Sequence, residues 1–161
     1  MSTHKTMSTH KTRLRIGLGI VGVATAAVMG VAMGPAVEAA QEKLSVWDGV
    51  YQDAQATRGK DDYEYNCGSC HIHDLTGDTI KDVPPLTGPE FLDTWSGKTV
   101  KELIEYISTN MPQGSRGSLP ANTVADITAY VLKFNQFPAG GEALSADSPK
   151  AAGKIEAEKT K

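Results

Sequence analysis

The chain has 161 residues, with 16 Lys and Arg against 19 Asp and Glu, a formal net charge of −3, and 40% hydrophobic residues. That sign argues against a nucleic-acid partner, since phosphate recognition needs a basic surface. An acidic surface is compatible with an encounter with a basic patch on another protein, and equally with ordinary solvation.

The opening is "MSTHKT" written twice, a repeat too short to build a fold. It reads as a duplicated start with Met7 a candidate initiator, and His4 and His10 inside it are not expected to be ligands. Lys5, Lys11, Arg13 and Arg15 then precede an apolar stretch over residues 16–33, followed by "GPAVEAAQEKL" with small residues at Val37 and Ala39. This is the form of a secretory signal peptide, residues 1–39, cleaved after Ala39. The rival reading is an uncleaved membrane anchor, for which ~18 apolar residues is the short limit. Leu14 separates Arg13 from Arg15, so export of an unfolded chain, to the periplasm, is expected over twin-arginine export. Removal of residues 1–39 leaves 122 residues with 12 basic and 18 acidic side chains, a net charge of −6. That length suits one small domain with no membrane span after cleavage.

Three main helices with long loops are expected in what remains. The first runs over residues 52–66, where Gly59, Tyr63 and Cys67 step along one face. The stretch 73–98 holds Pro84, Pro85, Pro89, Gly77, Gly88 and Gly97, interrupted by a short helix at "PEFLDTW". The middle helix begins at "TVKE", where Thr99 and Glu102 form a capping box. Its apolar stripe is Val100, Leu103, Ile104 and Ile107, and Pro112 marks its stop. The last helix spans residues 122–135, with Val124, Ile127, Val131 and Phe134 at helical spacing and Tyr130 beside them. No strand-like alternation is present, so the fold is all-α. From Ala139 onward the chain is small and charged, and a flexible C-terminal tail is expected over residues 139–161, leaving a domain at 40–138. So much irregular chain with so few large apolar side chains needs something to pack against. A large apolar cofactor would supply that interior.

The only cysteines lie in "YNCGSCHIH", Cys67 and Cys70, and His71 follows directly. A disulfide across two intervening residues closes almost no loop. A redox dithiol of the thioredoxin kind would follow a strand, and none is expected here. Zinc would need Cys67, Cys70, His71 and His73 to crowd one ion, whereas structural zinc sites draw ligand pairs from separated segments. The pattern C-x-x-C-H is the attachment signal of c-type haem. Two thioethers would join Cys67 and Cys70 to one covalent haem c, with His71 beneath the iron and small Gly68 and Ser69 allowing close approach of the backbone. After residue 39 the chain has one methionine, Met111, in "STNMPQG" just past the middle helix. A soft thioether suits haem iron as its sixth ligand, while a gap-filling core methionine is the rival reading. His73 is too near His71 to reach the far haem face, and a solvent- or propionate-facing role is expected. Asp74 and Asp78 have no arrangement that suggests acid–base catalysis. Trp95 is expected either against the haem or in simple packing, and Trp47 as a packing anchor for the N-terminal segment.

These motifs together resemble the class I monohaem cytochromes c, over about residues 47–138. "GKDDYEYNCGSCH" is similar to that family's first helix, with Gly59 and Tyr63 where it meets Ile127 and Tyr130 of the last. "PPLTG" resembles the family's P-x-L-x-G loop, which implies that the carbonyl of Pro84 accepts from the free ring nitrogen of His71. "MPQG" resembles the axial-methionine loop, which implies His71 and Met111 as the two iron ligands. The flanks "VWDGVYQDAQATRG" and "FNQFPAG" resemble cytochromes associated with bacterial quinoprotein dehydrogenases, so redox partner proteins, a quinoprotein dehydrogenase among them, are implied. One departure is Ile72, where a glycine commonly follows the haem histidine. The resemblance implies a monomeric one-electron carrier and not an enzyme. A haem sensor or peroxidase-like enzyme with a labile sixth ligand is the alternative.

Overall fold

The structure, a computed structural model, describes residues 44–159. The expected signal peptide and the duplicated start lie outside the described residues. Among the described residues five α-helices follow in chain order: α1 (Asp53–Asn66), α2 (Gly68–His71), α3 (Gly88–Trp95), α4 (Val100–Asn110) and α5 (Ala121–Phe134). Among the described residues the only β pairing is three isolated bridges, so the architecture is all-α as expected. No helix among them is long and apolar enough to cross a membrane.

The helices start where local chemistry permits. Thr99 accepts from the amide of Glu102, whose carboxylate takes the amide of Thr99 in return, closing the expected box on α4. Pro89 sits in the first turn of α3, where a missing amide hydrogen costs nothing. The short α3 and α4 each bury one side: Phe91 and Trp95 from the first, Val100, Leu103 and Ile104 from the second.

The crossing of α1 and α5 is the centre of the domain. Gly59 allows it, because a Cβ there would fall inside the backbone carbonyl of Asp126. One turn on, Tyr63 is fully buried with its ring 5.3 Å from that of Tyr130, and Ile127 is buried alongside. Full burial of such side chains contributes about 1.5–3 kcal/mol each. The residues expected at this crossing are therefore the ones that make it. Arg58 closes its edge with a two-pronged bond to the buried Asp126, at 2.8 and 3.1 Å.

The C-terminal segment departs from expectation. Where a flexible tail over 139–161 was expected, packing extends past residue 138. Leu144, Ala151 and Ile155 are buried. The buried Gln55 amide binds the backbone of Leu144 twice, donating to its carbonyl at 2.8 Å and accepting from its amide at 2.7 Å. Further on, Val46 and Lys154 share a bond at 2.8 Å, and Lys154 donates to Leu44 at 2.9 Å. Ile155 donates to the carbonyl of Lys98 at 2.8 Å and accepts from Gly97 at 2.9 Å. The segment is thus a strap joining the chain before α1 to the α3–α4 turn. Backbone pairing of this kind does not need large side chains, which is why composition suggested disorder. Trp47 anchors the same region, stacking edge-on to Phe137 at 5.0 Å and donating to the carbonyl of Glu156 at 3.0 Å.

Candidate haem cleft

Cys67 ends α1 and starts α2. Its amide donates to Tyr63 at 2.8 Å, while its carbonyl accepts from Cys70 at 3.1 Å and His71 at 2.9 Å. The two thiols and the imidazole are thereby held on one turn. His71 is buried, and its Nδ1 lies 3.0 Å from the carbonyl oxygen of Pro84. A carbonyl only accepts, so Nδ1 carries the hydrogen and Nε2 keeps its lone pair. Burial lowers the pKa of His71 against the raising effect of that bond, favouring the neutral, ligating form. Beside it, Tyr63 donates through its hydroxyl to the carbonyl of Ile72 at 2.7 Å. Ile72 itself has φ 65° and ψ 155°, a conformation that favours glycine.

The loop that presents Pro84 is fixed at both ends. Asp78 and Val83 pair through two backbone bonds, at 3.0 and 2.9 Å. Asn135, at the end of α5, donates to the carbonyl of Leu86 at 2.9 Å and accepts from the amide of Gly88 at 3.1 Å. Sequence reading assigned Asn135 no role. An asparagine just past a helix end is a common cap, and only the fold shows that it reaches the proline loop.

Met111 caps α4, its amide bonded to Ile107 at 3.0 Å, and is half-buried. Cys67, Cys70, His71, Pro84 and Met111 all line one cleft of about 320 Å³. Its walls are mainly apolar, with Phe91 and Trp95 from α3, Leu103 and Ile107 from α4, and Ile127 and Val131 from α5. His73 is exposed and does not line it; its ring instead lies against Gly68. Asp74 and Asp78 are occupied locally, the first with Thr76 and the second with Lys81.

The chemistry of this set discriminates among occupants. The Cys67 thiol is pushed up to about 11, chiefly by burial and then by the charges of Cys70 and Asp62, the opposite of a reactive thiolate. Among the described residues no three of His, Cys, Asp and Glu gather as a metal-ion site of their own would require. Two thiols, a nitrogen lone pair and a thioether around an apolar slot fit a flat, mostly apolar group that brings its own metal, and a haem is such a group.

The family described as "Cytochrome C oxidase, cbb3-type, subunit III" matches residues 54–131, from the first turn of α1 into α5. No curated protein matches the chain. A chain in the crystal structure of the sulfane dehydrogenase SoxCD from Paracoccus pantotrophus is similar at 19% identity and a TM-score of 0.44. The similarity covers 74% of this chain and 64% of that one.

Proposed function

We propose that this domain, a class I monohaem cytochrome c carrying covalent haem c and moving electrons, is a soluble exported carrier whose iron is held by His71 and Met111. The observation that carries the ligand assignment is the convergence of Cys67, Cys70, His71 and Met111 on one apolar cleft, with His71 Nδ1 tied to Pro84. Bound haem iron supplies a ferrous–ferric couple and so holds or releases one electron. The chain's residues do the rest. Cys67 and Cys70 supply the thioether attachments, and the α2 turn sets His71 next to them. The Pro84 carbonyl orients the His71 ring and raises its basicity as a ligand. As an iron ligand the Met111 sulfur, a weak soft donor, would favour the ferrous state, as would exclusion of water by Phe91, Leu103 and Ile127. If His71 and Met111 both hold the iron, no position would remain on it for substrate, which would favour a carrier over an enzyme. The signal peptide expected over residues 1–39 supports a periplasmic location, in keeping with where covalent haem is expected. A dehydrogenase is the proposed electron source, a quinoprotein enzyme by the resemblance of residues 46–59 and 134–140, with a respiratory acceptor downstream.

The test is spectroscopic. Ferric protein is expected to show a thioether-to-iron charge-transfer band at the red end of the visible spectrum, and ferrous protein is expected not to bind carbon monoxide. Met111→Ala should lose the band and gain carbon monoxide binding. An unchanged spectrum in that variant refutes the Met111 assignment, and carbon monoxide binding by the unsubstituted protein favours the sensor or peroxidase-like alternative.

A further inference from the structure

On the reading that a haem occupies this cleft, we propose that Lys98 is the cationic partner of a haem propionate and that the C-terminal strap is the element that positions it. Two lysines line the cleft, Lys81 and Lys98. They are not equivalent. Lys81 is committed to Asp78, with Nζ 3.0 Å from the carboxylate. Lys98 makes no ion pair among the described residues, and its Nζ lies 4.8 Å from the centre of the Trp95 ring. Trp95 is buried and held edge-on to Tyr106 at 5.5 Å, so it is a fixed platform. A lysine laid over such a platform at the wall of an apolar cleft presents its charge where few other polar groups are available.

A haem brings two carboxylates into whatever site it fills. A carboxylate against an apolar wall is costly unless it meets a cation or hydrogen-bond donors. Asp82, the one carboxylate among the residues lining the cleft, adds to that need. Lys98, the one of the two lysines without an ion pair although Glu102 is a neighbouring carboxylate, answers it through a charge-assisted hydrogen bond.

The strap enters because it brackets Lys98. The carbonyl of Lys98 accepts from Ile155 at 2.8 Å. On one side Gly97 donates to Ile155 at 2.9 Å, and on the other Val100 donates to Gly153 at 2.9 Å. These three bonds set the backbone between the last residue of α3 and the first turn of α4. The strap lies outside the region matched by the family model, residues 54–131.

The experiment measures the reduction potential of the attached-haem protein by spectroelectrochemical titration. Lys98→Gln is expected to lower the potential, because loss of the neutralising cation leaves propionate charge that favours ferric iron. Lys98→Arg keeps the charge and is expected to hold the potential. Ile155→Pro removes the donor to Lys98 and should lower the potential in the same direction. Combined with Lys98→Gln it should add nothing further, since both act through one pair. Gly153→Ala, whose Cβ would stand 3.1 Å from Val50 and 3.2 Å from two backbone atoms, disturbs the strap more gently and should give a smaller fall. An unchanged potential in Lys98→Gln, with haem attached, overturns the pairing while leaving the cofactor reading intact. Additive effects of the Lys98 and strap variants overturn the positioning role. Absence of attached haem in the unsubstituted protein refutes both readings together.

Discussion

Replacing Gly59 by alanine tests the packing at the centre of the domain. The added methyl would fall inside the carbonyl of Asp126 and stand 3.1 Å from the amide nitrogen of Ile127. All of these are backbone atoms of α5, so no side chain can turn aside. Relief requires the two helices to separate by on the order of 1 Å, a form of overpacking that costs about 3 kcal/mol when backbone must move. Separation also loosens the Tyr63–Tyr130 contact and the Arg58–Asp126 bond. Against this, alanine is the better helix former by about 1 kcal/mol. The net expectation is a loss of roughly 2 kcal/mol. In urea unfolding of the haem-bearing protein, followed by far-ultraviolet circular dichroism, that is a fall in midpoint of about 1 M at an ordinary slope. Gly114→Ala is the control, since its Cβ would meet nothing within 4 Å and its midpoint should not fall. A Gly59→Ala midpoint equal to or above that of the unsubstituted protein refutes the close crossing.

Other expectations follow from single residues. Ile72→Gly should stabilise the protein by about 1 kcal/mol, because relief of about 1–3 kcal/mol of backbone strain at φ 65° outweighs the chain entropy glycine adds. A thermal midpoint that falls refutes it. Gln55→Ala removes both partners of the buried Leu144 backbone and should cost about 2 kcal/mol, with faster hydrogen exchange at Leu144. Unchanged exchange there contradicts the docking of the strap. The Glu102 carboxyl is held below its usual range by the amide and then the hydroxyl of Thr99. Its folded pKa is depressed, so its contribution is present above the ordinary carboxylate pKa and is lost as pH falls through the lower, folded value. Glu102→Gln should flatten the stability-against-pH curve on that acid side, and an unchanged slope counts against the cap.

The parts of this molecule legible in its sequence are those specified by local, periodic or contiguous signals. The α4 cap needed only Thr99 and Glu102 three residues apart. The α5 stripe repeated at helical spacing, and the attachment motif occupied five consecutive residues. The pairing of His71 with Pro84 was legible only through resemblance, because it joins residues thirteen apart across an irregular loop. Asn135 and the strap were not legible. Asn135 acts at a distance of almost fifty residues, on Leu86. The strap buries Leu144, Ala151 and Ile155, too widely spaced to make a pattern, and holds them by backbone bonds that any residue but proline could form. Low hydrophobicity signals disorder only when side chains must provide the attachment, and here the main chain and Gln55 provide it.

The account rests on a porphyrin joined to the chain through Cys67 and Cys70, and intact-mass and peptide mass spectrometry of protein matured in a host with haem-attachment machinery tests it most directly. The predicted result is one haem added per chain, located on the peptide containing Cys67 and Cys70 and absent when both are alanine. A colourless polypeptide of unmodified mass, folded as stably as any attached form, would contradict it.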